Sequence, residues 1–180
     1  MRLKLALTTI ALTAALPAAA QLAPGAAAPD FTTQGALAGK AFSLNLKAQL
    51  KKGPVVLYLY PMSFTPGCSA EAQAFAAATP EFKKAGATVI GMAADPIDKL
   101  KDFSTKDCAS KFAVAQATPP IIAGYDVALI RDGANTGKTS RTSYVIAPDG
   151  KVIYAHSEMS PANHVKNTLA AVREWRAKKR

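Results

Sequence analysis

The stretch VVLYLYPMSFTPGCSAE, residues 55–71, decides the fold of this chain. Its first six residues are all apolar or aromatic, and Gly53-Pro54 and Pro61 bound them. A short continuous run of this kind predicts a strand that is buried on both faces. The loop that follows is rich in proline and glycine and leads into a segment of helical composition. We therefore expect Cys68 at or near the first turn of a helix, at the carboxyl end of the central strand.

Outward from this stretch, strand and helix patterns alternate. We expect a hairpin over 31–46, a helix over 70–82 that Pro80 interrupts and restarts, and a second buried strand over 87–93. Asp95 is predicted to cap a helix that runs to about Ser110 and carries Cys108 near its last turn. The remaining predictions are a short strand at 112–115, a connector at 119–130, a loop at 133–138, a hairpin of 142–147 with 152–156, and a final helix from Ser160.

This order of elements indicates the α/β class. A strand, helix, strand succession requires parallel crossovers, and the final hairpin adds antiparallel strands to the same sheet. A mixed central sheet with helices on both faces satisfies these constraints, and a thioredoxin-like architecture has this order of elements.

The first twenty residues are predicted to be a signal peptide. Met1-Arg2-Leu3-Lys4 is positively charged, residues 5–16 are apolar, and residues 17–20 end in small residues. The apolar run is too short to span a bilayer, which favours cleavage before Gln21. An uncleaved N-terminal anchor is the alternative. We expect residues 21–180 to form one thioredoxin-like domain, secreted to a bacterial periplasm.

The composition excludes disordered and collagen-like proteins. The chain has 180 residues, of which 49% are hydrophobic and 19% charged, as in ordinary globular domains. The formal net charge is +10, yet the basic residues are scattered and do not alternate with aromatic residues. A solvated basic surface is therefore favoured over a nucleic-acid or membrane interface.

Cys68 is the candidate nucleophile. The free N–H groups and the positive end of the helix dipole favour a thiolate over a thiol at a helix N-terminus. A thiolate attacks electrophiles such as a peroxide oxygen. Thr65, three residues earlier, brings a hydroxyl near the sulfur.

The stretch PMSFTPGCSAE resembles the signature of the peroxiredoxins. A proline, a threonine four residues on and a cysteine three further match Pro61, Thr65 and Cys68. The Thr-Pro-Gly-Cys wording, with Glu71 following, is most similar to the bacterioferritin comigratory protein (peroxiredoxin Q) branch. Residues 28–31, 86–95 and 141–150 also look like this family, and the resemblance spans about 24–175.

The resemblance implies further site residues and an activity. It maps the conserved arginine onto Arg141, which would stabilise the thiolate and the charge that develops on the peroxide. Glu71 would pair with Arg141, or is simply an acid in a first turn. The implied activity is reduction of H₂O₂ and small organic hydroperoxides through a Cys68 sulfenic acid, with no metal, haem or nucleotide. A thioredoxin-like dithiol would be the reductant, and the chain would be a monomer or weak dimer.

Cys108 is the only candidate for a resolving cysteine. Many members of the branch have a second cysteine five residues after the first, where this chain has Gln73. Other members place it on the next helix, as Cys108 would be. An inert Cys108 and a permanent structural bridge to Cys68 remain open. The competing functions are a thiol-disulfide oxidoreductase and a non-enzymatic binding module with that bridge.

Overall fold

The computed structural model describes residues 21–179. The predicted signal peptide, residues 1–20, lies outside the described residues. None of the helices within 21–179 combines the length and hydrophobicity needed to cross a bilayer.

A mixed seven-stranded sheet forms the centre of the fold, in the order β2-β1-β5-β4-β3-β8-β9. The central strands β3, β4 and β5 are parallel, whereas β1 and β2 on one side and β8 and β9 on the other are antiparallel additions. A separate hairpin pairs β6 with β7. The strands are β1 (Thr32–Leu37), β2 (Lys40–Asn45), β3 (Val55–Leu59), β4 (Thr88–Ala93), β5 (Ala113–Gln116), β6 (Ala128–Arg131), β7 (Ala134–Thr139), β8 (Thr142–Ile146) and β9 (Val152–Ser157).

Within residues 21–179, five helices cover both faces of this sheet. Side chains of α2, α3 and α5 pack into the core on one face, and those of α1 and α4 into the core on the other. The helices are α1 (Leu46–Leu50), α2 (Pro66–Lys84), α3 (Ile97–Lys106), α4 (Pro119–Gly124) and α5 (His164–Lys178). The predicted fold class is confirmed.

Strand β3 connects the two cores, as its apolar run predicts. All five of its residues are buried. Val56 and Tyr58 face the core beneath α2, while Leu57 and Leu59 face the opposite core. Because successive side chains point to opposite faces, only a continuous apolar run can satisfy both cores.

Helix α2 differs from the helix predicted over 70–82. It begins at Pro66, four residues early, and passes through Pro80 without interruption. Proline removes one backbone donor from the helix interior. The helix nevertheless continues, because Phe75 and Phe82 on either side of Pro80 are fully buried in one core. Packing therefore outweighs the local effect of the proline.

Three other helix boundaries differ from their predictions. Asp95 does not cap α3, because its carboxylate accepts from the Ser63 N–H at 2.7 Å and pairs with Lys99 at 2.8 Å. Helix α3 ends at Lys106, so Cys108 lies in the turn beyond it. The last helix begins at His164 rather than Ser160.

The loop predicted at 133–138 is instead strand β7. A two-residue turn, Asp132-Gly133, joins it to β6, and both residues have positive φ angles, 49° and 76°. Asp-Gly is the preferred sequence for such a hairpin turn. That dipeptide was the available signal for a hairpin here.

We predict that Gly91→Ala destabilises the fold by about 1–3 kcal/mol through overpacking. A Cβ at Gly91 would lie 2.7 Å from the Tyr58 ring. That ring cannot move away, since it is fully buried and stacks on Phe75 at 4.3 Å between centroids. Chemical denaturation of the variant measures this effect.

Gly124→Ala is the control for this substitution. Its Cβ would meet Pro29 at an ordinary 3.4 Å, so this variant should be as stable as the wild type or up to about 1 kcal/mol more stable, because alanine loses less conformational entropy on folding. Equal stability of the two variants would contradict the packing argument.

Candidate active site

The loop between β3 and α2 is held by side chains from both sides. The Ser63 N–H donates to the Asp95 carboxylate, and the Ser63 hydroxyl lies 3.2 Å from the buried Tyr60 hydroxyl. The Thr65 hydroxyl donates to the Met62 carbonyl at 3.0 Å. These bonds fix the loop just before the helix that carries Cys68.

Phe64 in this loop has a strained backbone. Its φ of 65° lies in the left-handed region, which is costly for a residue with a large side chain. The ring packs edge-on against Phe103 of α3, with centroids 5.2 Å apart, although 41% of Phe64 remains exposed. This contact helps to retain a conformation that the loop alone would disfavour.

Cys68 is the third residue of α2, as the sequence predicts for a first-turn position. Its side chain is almost completely buried, and its sulfur is a free thiol. Arg141 Nη2 donates to Cys68 Sγ at 3.4 Å. A helix N-terminus and a guanidinium therefore both face this sulfur.

Arg141 is fixed by three separate acceptors. Its Nη1 donates to Glu71, its Nη2 to Cys68 and its Nε to the Met159 carbonyl at 2.9 Å. Burial lowers the pKa of Arg141, but Glu71 and Cys68 raise it by more, so the guanidinium remains charged. The planar fork of arginine suits such a set of acceptors, and a lysine could not reproduce it.

Glu71 is buried one helical turn beyond Cys68. Burial raises the pKa of this carboxyl from its ordinary 4.5 to about 7, although Arg141 opposes the shift. One carboxylate oxygen meets Arg141, while the other has no hydrogen-bond partner among residues 21–179. His164 Nδ1 lies 3.8 Å from that second oxygen and pairs instead with the Ser143 hydroxyl at 2.8 Å.

A cavity of about 280 Å³ opens onto this sulfur. Four of the predicted site residues, Pro61, Thr65, Cys68 and Arg141, line it together. The β6–β7 hairpin forms another part of the wall. The volume lies just below the usual range for ligand pockets, so it suits a small substrate.

Cys108 does not line this cavity. It is fully buried in the core beneath α2, where burial and then Asp107 raise the pKa of its thiol far above the ordinary value. It is also a free thiol, so no Cys68–Cys108 bridge is present. Gln73, at the position where many relatives of the resembled branch have their second cysteine, donates to Asp107 at 3.0 Å.

Several contributors to the site were not found from the sequence. Asp95 was assigned to a helix cap, and Met159 contributes only a backbone carbonyl and a lining side chain, which no motif indicates. The Ser143–His164 pair beside Glu71 joins two distant elements, β8 and α5. In the sequence, the wall formed by the β6–β7 hairpin is indicated by Asp132-Gly133, a preferred pair for a hairpin turn.

Comparison with known proteins identifies the family. Residues 24–155 match the AhpC/TSA family. Peroxiredoxin Bcp of Xanthomonas campestris pv. campestris is 31% identical over 123 residues, which is 66% of this chain and 76% of that protein. Chloroplastic peroxiredoxin Q of Oryza sativa subsp. japonica is 33% identical over 150 residues, 83% of this chain and 66% of that protein.

Solved structures agree with this assignment. Peroxidoxin BcpB of Mycobacterium tuberculosis superposes with a TM-score of 0.75 and 29% identity, over 84% of this chain and 96% of that one. A peroxiredoxin Q structure from Xanthomonas campestris gives a TM-score of 0.70 and 27% identity, over 79% and 90%. The chain therefore belongs to the AhpC/TSA family and is a thiol-dependent peroxidase of the peroxiredoxin kind.

Proposed function

We propose that Cys68 is the residue of this peroxidase that the peroxide oxidises. Its thiolate attacks one peroxide oxygen, the O–O bond breaks, and the other oxygen leaves as water or an alcohol after gaining a proton. Cys68 becomes a sulfenic acid. The observation that carries this proposal is the Arg141 guanidinium 3.4 Å from the sulfur, inside a cavity that Thr65 and Pro61 also line.

Each neighbour has a separate role in this step. Arg141 stabilises both the thiolate and the negative charge on the leaving oxygen. The Thr65 hydroxyl already donates to the Met62 carbonyl, so its lone pairs are oriented to accept from the peroxide. Glu71 holds the guanidinium fork in place and is a positioning residue. Pro61 forms part of the cavity wall and limits access of water to the sulfur.

We further propose that Cys108 resolves the sulfenic acid. Its thiolate attacks the Cys68 sulfur, water leaves, and an intramolecular disulfide forms. A thioredoxin-like dithiol then reduces this disulfide by exchange and is itself oxidised. The sulfur of Cys108 must first leave the core, so this step requires local unfolding.

Two features support local unfolding at these cysteines. Thr65, at the N-cap of α2, makes no side-chain capping bond, so the first turn with Cys68 lacks a common source of stability. Ala109 and Ser110, directly after Cys108, both have positive φ angles, 47° and 56°. Such backbone conformations are strained in residues other than glycine, and rearrangement would release the strain.

The proposed substrates are H₂O₂ and small organic hydroperoxides. The cavity combines Arg141 with apolar side chains of Leu129 and Met159, which accommodate a short alkyl group. One solved structure of the Xanthomonas campestris bacterioferritin comigratory protein is described by its alkyl peroxide reduction activity. This likeness supports an organic hydroperoxide as substrate here.

We also propose that the chain is exported to a bacterial periplasm. We propose that it acts there as a monomer or weak dimer. The charged start, apolar run and small residues of 1–20 support cleavage before Gln21. Directly after this predicted cleavage site, the Leu22 N–H donates to the Tyr144 hydroxyl at 3.2 Å. The chain therefore contacts the folded domain from its second residue after the site.

The two cysteines are distinguished by substitution. Cys68→Ser should abolish peroxide consumption, because no nucleophile remains. Cys108→Ser should react once and then stop, because nothing resolves the sulfenic acid. Dimedone trapping and mass spectrometry should locate the sulfenic acid on Cys68. Repeated turnover of the Cys108→Ser variant with a thioredoxin reductant would instead indicate a one-cysteine mechanism.

Arg141→Met should lower the rate constant for peroxide reaction about 10²- to 10³-fold, as for loss of one oriented donor. Arg141→Lys keeps a charge to pair with Glu71 but loses the fork, and should also be slow. Stopped-flow kinetics measure both. Arg173→Met, at an exposed pair with Glu81, is the control and should match the wild type. A folded Arg141→Lys variant with full activity would contradict the role of the fork.

The buried Glu71 makes stability depend on pH. Its raised pKa means that the folded chain retains a proton that the unfolded chain releases, so this contribution is present below pH 4.5 and lost as pH rises to about 7. The unfolding free energy of the wild type, minus that of Glu71→Gln, should therefore decrease across this window. Urea denaturation at several pH values measures it. A difference that increases with pH would show that Arg141 outweighs burial.

A further inference from the structure

A second cavity, of about 310 Å³, lies at the opposite end of the parallel strands from Cys68. It is lined by the first residues of β4 and β5, Thr88 and Ala113, and by Leu37 at the end of β1. Cys68 follows the carboxyl end of β3, which is parallel to these two strands. The two cavities are therefore separated by roughly the length of a strand, about 20 Å for six residues.

The interior of this cavity is apolar. Its lining includes Leu44 and Ile90 from the core on one face of the sheet and Phe82 and Phe112 from the core on the other, all at least 95% buried. At its mouth, Leu37 and Phe42 are 40% and 38% exposed. Both are among the few large apolar side chains that the described chain exposes to this degree. Apolar surface that is grouped around a cavity indicates a binding site more strongly than isolated exposed residues do.

The rim of the cavity is cationic. Lys52, Lys83 and Lys111 all line it, and no aspartate or glutamate does. Within residues 21–179, none of the three lysines forms a salt bridge, and Lys52 reaches only the Gln49 amide oxygen at 3.2 Å. Like charges around a small apolar opening repel one another, and a bound anion relieves that repulsion.

We infer that this cavity binds an amphipathic monoanion, an unbranched alkyl carboxylate. The alkyl chain would fill the apolar interior, and the carboxylate would lie among the three lysines. Apolar burial supplies affinity, and the charge fixes the orientation of the ligand. The cavity volume is near the lower limit for ligand pockets, which favours a chain of medium length over a whole phospholipid.

Octanoate is the probe for this site. Titration of the purified chain, followed by NMR, should move the amide signals of Thr88 and Ala113 and leave those around Cys68 unchanged. Octanol has the same chain without the charge and should bind more weakly. Signal changes confined to the Cys68 cavity, or equal affinity for octanoate and octanol, would overturn the inference.

Charge substitutions test the rim. The triple variant Lys52→Gln, Lys83→Gln, Lys111→Gln should weaken octanoate binding about tenfold, since each exposed charge contributes modestly. Lys151→Gln, Lys166→Gln, Lys179→Gln removes the same net charge away from this cavity and should bind octanoate like the wild type. Equal loss in both triple variants would show non-specific charge attraction and overturn the site.

A filling substitution tests the interior. Ala113→Leu occupies the cavity and should abolish binding of both probes, while circular dichroism and peroxide reduction confirm that the variant is folded. Retained binding would overturn the inference. So would light scattering that shows a dimer for the wild type and a monomer for the double variant Leu37→Ser, Phe42→Ser, because a second copy would then cover the mouth.

Discussion

The proposed active site depends on one buried interaction, the Arg141 guanidinium between the Glu71 carboxylate and the Cys68 sulfur. Burial of a charged group is costly unless it is paired and hydrogen-bonded, and Arg141 meets three acceptors. Cys68 and Glu71 are three residues apart on α2 and therefore share one face of the helix. Arg141 directly precedes β8, which pairs with β3, the strand that leads into α2. Strand order thus places the cation opposite the helix that carries the thiol.

The two proposed steps of catalysis place opposite demands on the same region. Attack on peroxide requires a fixed site, and the bond from Ser63 to Asp95 and the packing of Phe64 on Phe103 supply it. Resolution by Cys108 requires movement, and the strained turn at Ala109 provides it. The contacts that hold the loop precede Cys68, where Phe64 is itself strained, and two further strained residues, Ala109 and Ser110, follow Cys108. In this proposal, unfolding involves the first turn of α2 and the turn that contains Cys108, and the rest of the sheet and helices stays folded.

Much of this arrangement was predictable from the sequence, and the exceptions have physical causes. The run at 55–60 specified a buried strand, and the proline- and glycine-rich loop specified where Cys68 lies. Local rules failed where tertiary contacts compete with them. Asp95 follows the capping pattern, but its carboxylate binds the Ser63 N–H, and Pro80 follows the helix-breaking pattern, but Phe75 and Phe82 hold the helix together. The Met159 carbonyl could not be predicted, because any residue supplies the same group.

In the proposed mechanism, the folded site, rather than a thiol as such, makes Cys68 reactive toward peroxide. The most direct test is the second-order rate constant for H₂O₂ with the reduced chain, measured by stopped flow and compared with the same chain in denaturant. The interactions at Cys68 predict a rate constant larger by at least about a hundredfold in the folded state. Equal rate constants in the folded and unfolded chain would show that the fold does not activate Cys68.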